Sequence, residues 1–180
     1  MDLNDILEIE QSKYCYEQAY ALHRHKEIPA LFLKSEGTTF DIAGDAISGW
    51  DAVNRKFCEE LFYVSSAEDS YHTGWQISMP LIYEDPVSGD VCGIFPTFGY
   101  LVLNMDPETM KPPYTVLSAL EMWNDRFTRA DGAWKIQNLS AKFMLGQSVW
   151  RWNPAGDTGL AVQHKLYSVP HPVLGKEGEA

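Results

Sequence analysis

The chain has 180 residues, of which 45% are hydrophobic and 22% charged, and its formal net charge is -11. These values are typical of one globular domain with a core large enough to need no disulfide framework. The acidic balance argues against a nucleic-acid partner or an anionic membrane surface, because phosphate groups are bound by clustered Lys and Arg.

The first third of the sequence predicts helices around one short strand. Apolar residues recur at helical spacing in a long first segment, which predicts a helix over residues 3–27 (Leu3, Ile6, Leu7, Tyr14, Ala21 and Leu22). "IPALFL" predicts a short second helix and "GTTFDIAG" a strand. "SGWDAVNRKFCEELFY" predicts a third helix, with Ser48 as its candidate N-cap and Val53, Phe57 and Leu61 on one apolar stripe.

The middle of the chain changes to the alternating pattern of strands. "YHTGWQISMPLIYED" and "VCGIFPTFGYLVLNM" predict two long strands joined by the turn-rich "DPVSGD". "VLSALEMWNDRFTR" and "AWKIQNLSAKFML" predict a second hairpin, whose turn is Asp131-Gly132. After Gly146 no clear period remains. We therefore predict a domain over residues 1–145 and a C-terminal extension, 146–180, that packs on the domain or on a partner subunit.

Helices followed by long antiparallel strands predict an α+β fold, with helices on one face of a curved sheet. Such a sheet and a long helix enclose a cone, which leaves an apolar pocket open at one end.

Three passages resemble the SnoaL-like proteins of the NTF2-like superfamily over about residues 3 to 145. "SGWDAV" resembles the entry to the family's third helix, and "YHTGW" the histidine that opens the next strand in its dehydratase-type members. "MWNDRFTRADGAWKI" resembles the hairpin "Y-x-D-x-F-x-R-x-D-G-x-W-x-I", with Trp123 in place of Tyr. The resemblance implies an NTF2-like cone, in which a curved antiparallel sheet wraps around a long N-terminal helix and two shorter ones.

The resemblance also implies catalytic residues. In scytalone-dehydratase and bile-acid-dehydratase members the strand-opening histidine is catalytic, which points to His72, since imidazole exchanges protons near neutral pH. A tyrosine near the end of the first helix holds a carbonyl or departing hydroxyl, which points to Tyr20. The family's aspartate after this tyrosine is replaced here by "ALHRHKE", and "PTFGYLVL" offers Tyr100 as its only titratable group. Alternatively, His72 is a core histidine and the tyrosines are packing aromatics.

Glu121 lies among apolar residues of a predicted strand and shares a face with Trp123 and Asp125. If that face lines the cone, burial raises the pKa of Glu121, which then acts as a base or orients His72. If the face is outward, Glu121 is an ordinary edge charge. Asp125 is interpreted as a structural ion-pair or turn partner near Arg126 or Lys135.

Aromatic side chains are expected to line the pocket and to bind a flat apolar substrate: Tyr16, Trp50, Phe57, Trp75, Phe98 and Trp123. Metal and nucleotide motifs are not recognised. His23-x-His25 lacks the i, i+4 spacing of a helical metal site, and "GDVCGIFPTFG" lacks the strand-turn-helix context of a phosphate loop. We therefore expect no cofactor and no metal.

The predicted function is a cofactor-independent lyase, or dehydratase, that acts on a small hydrophobic hydroxylated molecule by His/Tyr acid–base catalysis. The resemblance extends to members that cleave C–C bonds of lignin-derived diaryl compounds. An isomerase or cyclase using the same groups is one alternative, and a non-catalytic module that binds a hydrophobic ligand is another. A homodimer or higher homo-oligomer is expected from the family, and three scattered cysteines favour a reducing, cytoplasmic location.

Overall fold

The computed structural model describes residues 1–42, 45–61, 72–103, 114–152 and 160–162. In these residues helices pack against a curved, eight-stranded sheet, which confirms the α+β prediction. The helices are α1 (Leu3–Ala21), a 3₁₀ helix (His25–Leu31) and α2 (Trp50–Arg55), which continues with π-helical turns over Lys56–Leu61. The strands are β1 (Thr39–Ile42), β2 (Asp45–Ser48), β3 (His72–Ile77), β4 (Leu81–Glu84), β5 (Val91–Leu103), β6 (Tyr114–Ala130), β7 (Ala133–Trp152) and β8 (Leu160–Val162).

Helix α1 begins at a reciprocal cap and ends earlier than predicted. The Asp2 side chain accepts from the backbone N–H of Asp5, and the Asp5 side chain accepts from that of Asp2. His23 has a φ of 57°, a left-handed conformation that an α-helix does not contain.

The apolar residues whose spacing predicts α1 are not the ones that the helix buries. Leu3 and Leu7 are 68% and 53% exposed. The face that packs on the sheet is mixed in polarity, and it consists of Ile9, Ser12, Lys13, Tyr16, Glu17 and Ala19. The periodicity therefore identified a helix correctly but not the side of it that is buried.

The sheet runs in the order β2-β1-β7-β6-β5-β3, with β4 paired to β5 and β8 to β7. The pairing of β1 with β7 is parallel and all the others are antiparallel. Both predicted hairpins are present. Asp131 and Gly132 have φ values of 52° and 79°, as a two-residue type I′ turn requires.

Several predicted boundaries are wrong for identifiable reasons. The strand predicted over residues 71–85 is broken after Ile77, where Met79 has a φ of 42° and precedes Pro80. Ser48 ends β2, and Gly49, with a φ of 88°, takes the N-cap position of α2. Strand β7 continues past residue 145, where the predicted strand ends, to Trp152. Residues 153–159 and 163–180 of the predicted extension, and 104–113 of the predicted loop, lie outside the described residues.

The core lies between α1, the 3₁₀ helix, α2 and the inner face of the sheet. Its largest members include Phe32, Phe40, Phe57, Phe95, Trp123 and Phe127. In the predicted third helix, Val53 and Phe57 are fully buried, as the apolar stripe predicts. No helix among the described residues is long and apolar enough to cross a membrane.

Candidate active site

Four charged side chains meet inside the cone, where α1 crosses strand β6. Lys13 and Glu17 lie one turn apart on the buried face of α1, and Glu121 and Asp125 lie on the inner face of β6. All four are buried, and Lys13 and Asp125 have 0% exposed side chains. We call these four residues the interior cluster.

Lys13 links the helix to the strand. Its Nζ lies 3.1 Å from Asp125 Oδ2 and 3.6 Å from Glu17 Oε1. The same nitrogen lies 3.6 Å from the centroid of the Trp123 ring, close enough for a cation–π interaction. Asp125 also accepts a hydrogen bond of 3.1 Å from the backbone N–H of Ser140 on β7. Asp125 is thus the carboxylate of the cluster with the most partners for a negative charge.

The negative charges of the two glutamates, Glu17 and Glu121, have fewer stabilising partners. Burial raises the pKa of Glu121 to about 8, and the nearby charge of Glu17 raises it further than Lys13 lowers it. Burial raises the pKa of Glu17 to about 7, although Lys13 opposes the shift. Burial also raises the pKa of Asp125, against the effect of Lys13 and of the Ser140 N–H. At neutral pH Glu121 is therefore mainly protonated, and Glu17 is divided between its two forms.

Aromatic rings surround the interior cluster. Tyr16 packs edge-on against Trp123, with ring centroids 5.7 Å apart, and against Phe57 at 6.1 Å. Burial, with the charge of Glu17, raises the pKa of Tyr16 well above its ordinary value, so its hydroxyl stays neutral. The cluster therefore lies in an apolar, aromatic environment, in which electrostatic interactions between its charges are stronger than in water.

The aromatic wall continues from Tyr16 towards β3. The Tyr20 ring lies 6.4 Å from that of Tyr16 and 6.4 Å from that of Trp75. It also contacts the buried His25 edge-on, with ring centroids 4.9 Å apart. Burial lowers the pKa of His25 to about 4, so this imidazole is neutral at physiological pH.

Several buried polar atoms of this region have no hydrogen-bond partner among the residues that the structure describes. They are Glu121 Oε2, Glu17 Oε1, Ser12 Oγ, Trp123 Nε1 and Trp75 Nε1. Buried donors and acceptors are rarely left unsatisfied in native proteins, because each such group costs about 1–3 kcal/mol. Ser12 and Glu17 lie on the buried face of α1, and Glu121 and Trp123 on the inner face of β6, so these groups are candidates for contacts with a ligand.

The structure brings together part of the predicted site. Glu121, Tyr16, Trp123 and Phe57 lie together inside the cone, with Tyr20 and Trp75 on the adjoining wall. Of the two orientations open for Glu121, the inner one is observed. The backbone of His72 opens β3 opposite Val102, but its side chain lies outside what the structure describes.

Three predicted residues lie apart from the cluster. Phe98 and Tyr100 are 52% and 44% exposed, on the face of β5 opposite to Phe95 and Thr97. Trp50 is half-buried at the edge of the core, where its indole N–H donates to the carbonyl of Pro29.

The ion-pair partner predicted for Asp125 was wrong. Arg126 is on the outer face and pairs with Asp90 at 3.3 Å. Lys135 donates to the carbonyl of Ala30. Strand alternation explains this, since adjacent residues of a strand point to opposite faces, so Asp125 and Arg126 cannot share one.

Lys13, Glu17 and His25 were not predicted as site residues. Lys13 and Glu17 have the i, i+4 spacing of an ordinary surface ion pair. The usable signal was weak: if the helix packs through Ile9 and Tyr16, Lys13 must lie between them on the buried face. Among the described residues no group of His, Cys, Asp and Glu side chains is arranged to hold a metal ion.

Comparison with solved structures gives the fold its class. The chain superimposes on a hexachlorocyclohexane dehydrochlorinase, LinA type 2, with a TM-score of 0.62 and 14% identity over 86% of this chain and 96% of that one. The NTF2-like cone predicted from the sequence is therefore confirmed as the fold of this protein.

Two further structures share this fold. A protein of Novosphingobium aromaticivorans that is proposed to be a scytalone dehydratase matches with a TM-score of 0.58 and 18% identity, over 84% of this chain and 89% of that one. ActVI-ORFA of Streptomyces coelicolor matches with a TM-score of 0.58 and 11% identity, over 77% and 96%. No family model matches the sequence, and a search of curated proteins finds no significant match.

Proposed function

We propose that the protein is a cofactor-independent lyase that eliminates water, or a comparable leaving group, from a small hydrophobic hydroxylated molecule. The observation that carries this proposal is a pair of carboxyl groups, Glu121 and Glu17, buried inside an aromatic cone with pKa values of about 8 and about 7. Two carboxyl groups whose environments raise their pKa values to near neutral pH are suited to act as acid and base in one reaction.

The proposed reaction divides the proton transfers between the two glutamates. Glu17 in its ionised form takes the proton from the carbon next to a carbonyl or ring. The C–O bond then breaks, and protonated Glu121 gives its proton to the departing oxygen, which leaves as water. The proton on Glu17 returns to Glu121 through solvent or through the site. No electron donor or acceptor is required.

The remaining candidates have supporting roles in this proposal. Tyr20 lies on the wall beside Tyr16 and Trp75, where its hydroxyl is suited to hold a carbonyl oxygen as negative charge develops. His72 stays a candidate for the proton transfer, as the resemblance implies. Tyr100 is on the exposed face, so this mechanism does not use it.

The comparisons support elimination chemistry as the class. A proposed dehydratase and a dehydrochlorinase, both named for eliminations, share the fold.

We propose an aromatic or polycyclic substrate, because aromatic side chains form the walls of the site. Cleavage of a C–C bond in a lignin-derived diaryl compound, isomerisation and cyclisation are alternatives, since each also needs an acid and a base, although the protons that these groups transfer are different. A homodimer is also proposed, and light scattering at several protein concentrations tests it.

Turnover of a panel of hydroxylated aromatic ketones, followed by liquid chromatography and mass spectrometry, tests the function. In Glu121→Gln the turnover rate is expected to fall about 10²- to 10⁴-fold, because the amide cannot release a proton. Glu84→Gln, an exposed glutamate on β4, is the control and keeps wild-type rates. The wild-type rate is expected to decline above pH 8, where Glu121 loses its proton. Equal rates in wild type and Glu121→Gln would exclude the mechanism.

A further inference from the structure

The interior cluster also has features that select the kind of polar group a ligand presents. We propose that the cluster end of the cone binds a neutral hydroxyl group through Glu121 and Trp123 and rejects a carboxylate or phosphate. This inference rests on the location of the proposed active site, but it concerns binding and does not require turnover.

Glu121 and Trp123 supply complementary hydrogen-bonding groups. They lie two residues apart on β6, so both side chains are on the inner face. Both side chains are more than nine-tenths buried. The Trp123 indole lies close enough to the Glu121 carboxyl to lower its pKa slightly, but neither Glu121 Oε2 nor Trp123 Nε1 has a hydrogen bond of good geometry among the described residues. A protonated carboxyl offers a donor and an acceptor, and an indole offers a donor. A hydroxyl group, with one donor and two acceptor positions, satisfies them together.

The positive charge of the cluster is already committed. Lys13 is the only buried Lys or Arg in the part of the chain that the structure describes. It lies between Asp125 at 3.1 Å, Glu17 at 3.6 Å and the face of Trp123. Among the buried residues that the structure describes, an anionic ligand would therefore find no Lys or Arg that is not already paired.

The other charges oppose an anion. Three carboxyl groups, those of Glu17, Glu121 and Asp125, share this interior with one ammonium. Transfer of a further negative charge into such a site costs desolvation energy and adds repulsion, and the neutral donors of Glu121 and Trp123 supply no counter-charge to offset either. The neighbouring titratable groups on α1 are Tyr16, whose neutral hydroxyl adds no positive charge, and Tyr20. The buried His25 is neutral above a pKa of about 4.

Three ligands of one shape test the proposal: 2-naphthylmethanol, 2-naphthoate and 2-methylnaphthalene. Binding to the full chain is measured by ligand-detected NMR at pH 7. The alcohol is expected to bind about tenfold more tightly than the carboxylate and about threefold more tightly than the hydrocarbon. In Trp123→Phe the advantage of the alcohol over the hydrocarbon is expected to shrink, because the indole N–H is lost while an aromatic ring remains.

A pH series separates the role of Glu121 from general packing. Between pH 7 and pH 9 wild-type affinity for the alcohol is expected to fall about fivefold, since Glu121 loses its donor on ionisation. Glu121→Gln keeps an N–H donor and should bind the alcohol equally at both pH values. Tighter binding of 2-naphthoate, a hydrocarbon that binds as well as the alcohol, or no binding of the alcohol by folded protein would each overturn the proposal. If binding follows the expectation but no panel substrate is converted, the lyase function fails and this inference stands.

Discussion

The two faces of the sheet at β6 bear charged residues in opposite environments. On the inner face, Asp125 and Lys13 form an ion pair with no exposed surface. On the outer face, the next residue, Arg126, pairs with Asp90 at a similar distance, 3.3 Å, but the two side chains are 57% and 38% exposed. The two ion pairs have nearly equal N–O distances, but they differ in what loss of the cation costs in stability. An exposed pair is screened by water, whereas an unpaired charge in the interior loses its hydration without compensation.

Removal of the cation from each ion pair is expected to give the largest difference in stability between the two faces. Lys13→Met leaves three buried carboxyls without a counter-charge, and it should lower the free energy of unfolding by about 3–5 kcal/mol. Urea denaturation at pH 7, followed by circular dichroism, measures the change.

The matched variant on the outer face is Arg126→Met. It removes the cation of an exposed pair, and a loss of less than about 1 kcal/mol is expected. Equal losses for the two variants would mean that the interior of the cone is as well solvated as its surface, and the account of the cluster given above would be wrong.

A second expected difference concerns pH. The unfolded chain releases the Glu121 proton near the ordinary pKa of 4.5, and the folded protein releases it at about 8. Between these values the folded state binds more protons, so the free energy of unfolding falls as pH rises. Below about pH 6.5 the lowered pKa of His25 acts in the opposite direction, so the fall is clearest from pH 6.5 to 8.

Glu121→Gln should flatten this pH dependence. At pH 8 the variant is expected to be more stable than wild type by roughly 1–3 kcal/mol, and the gain should disappear near pH 4.5. Thermal unfolding across the pH series measures it, with Glu84→Gln on the exposed side of β4 following the wild-type curve. A Glu121→Gln curve parallel to wild type would show that Glu121 ionises normally in the fold.

The smallest of these differences arises from two glycines that lie beneath aromatic rings. On the inner face a Cβ added at Gly99 would overlap the Trp75 ring, and on the outer face one added at Gly74 would overlap the Tyr100 ring. Gly99→Ala should cost about 1–3 kcal/mol, because the Trp75 ring packs against Tyr20 and has little room to move away. Gly74→Ala should cost less, since the exposed Tyr100 can rotate into solvent. Denaturation and tryptophan fluorescence distinguish them, and a larger cost at Gly74 would contradict the assignment of faces.

Much of the fold could be predicted because it depends on local patterns. Alternation over β5 and β6 predicted the strands, and the Asp131-Gly132 turn predicted the hairpin, since the conformation of such a turn is set by its own residues. The break after Ile77 was missed because alternation on both sides of it continues the same pattern. The start of α2 was missed because Gly49 caps it by conformation and not by a side-chain hydrogen bond.

The site was only half predictable. Alternation placed Glu121, Trp123 and Asp125 on one face, but it did not say that this face is the inner one. The choice is set by which face of the strand packs on α1, and the sequence of the strand alone does not record it. Burial of Lys13 and Glu17 is tolerated because Asp125, which is distant in sequence, pairs with Lys13. No local sequence pattern indicates that pairing.

The link from Lys13 to Asp125 has a consequence for how the chain finds one arrangement among several. An apolar helix can slide along an apolar sheet with little change in buried area. If α1 moved by one turn, about 5.4 Å, Lys13 would separate from Asp125, and Asp125 would keep only the Ser140 N–H as a partner. The ion pair between Lys13 and Asp125 therefore favours one docking position of the first helix on the sheet. That position in turn fixes where the aromatic rings of the helix meet the sheet.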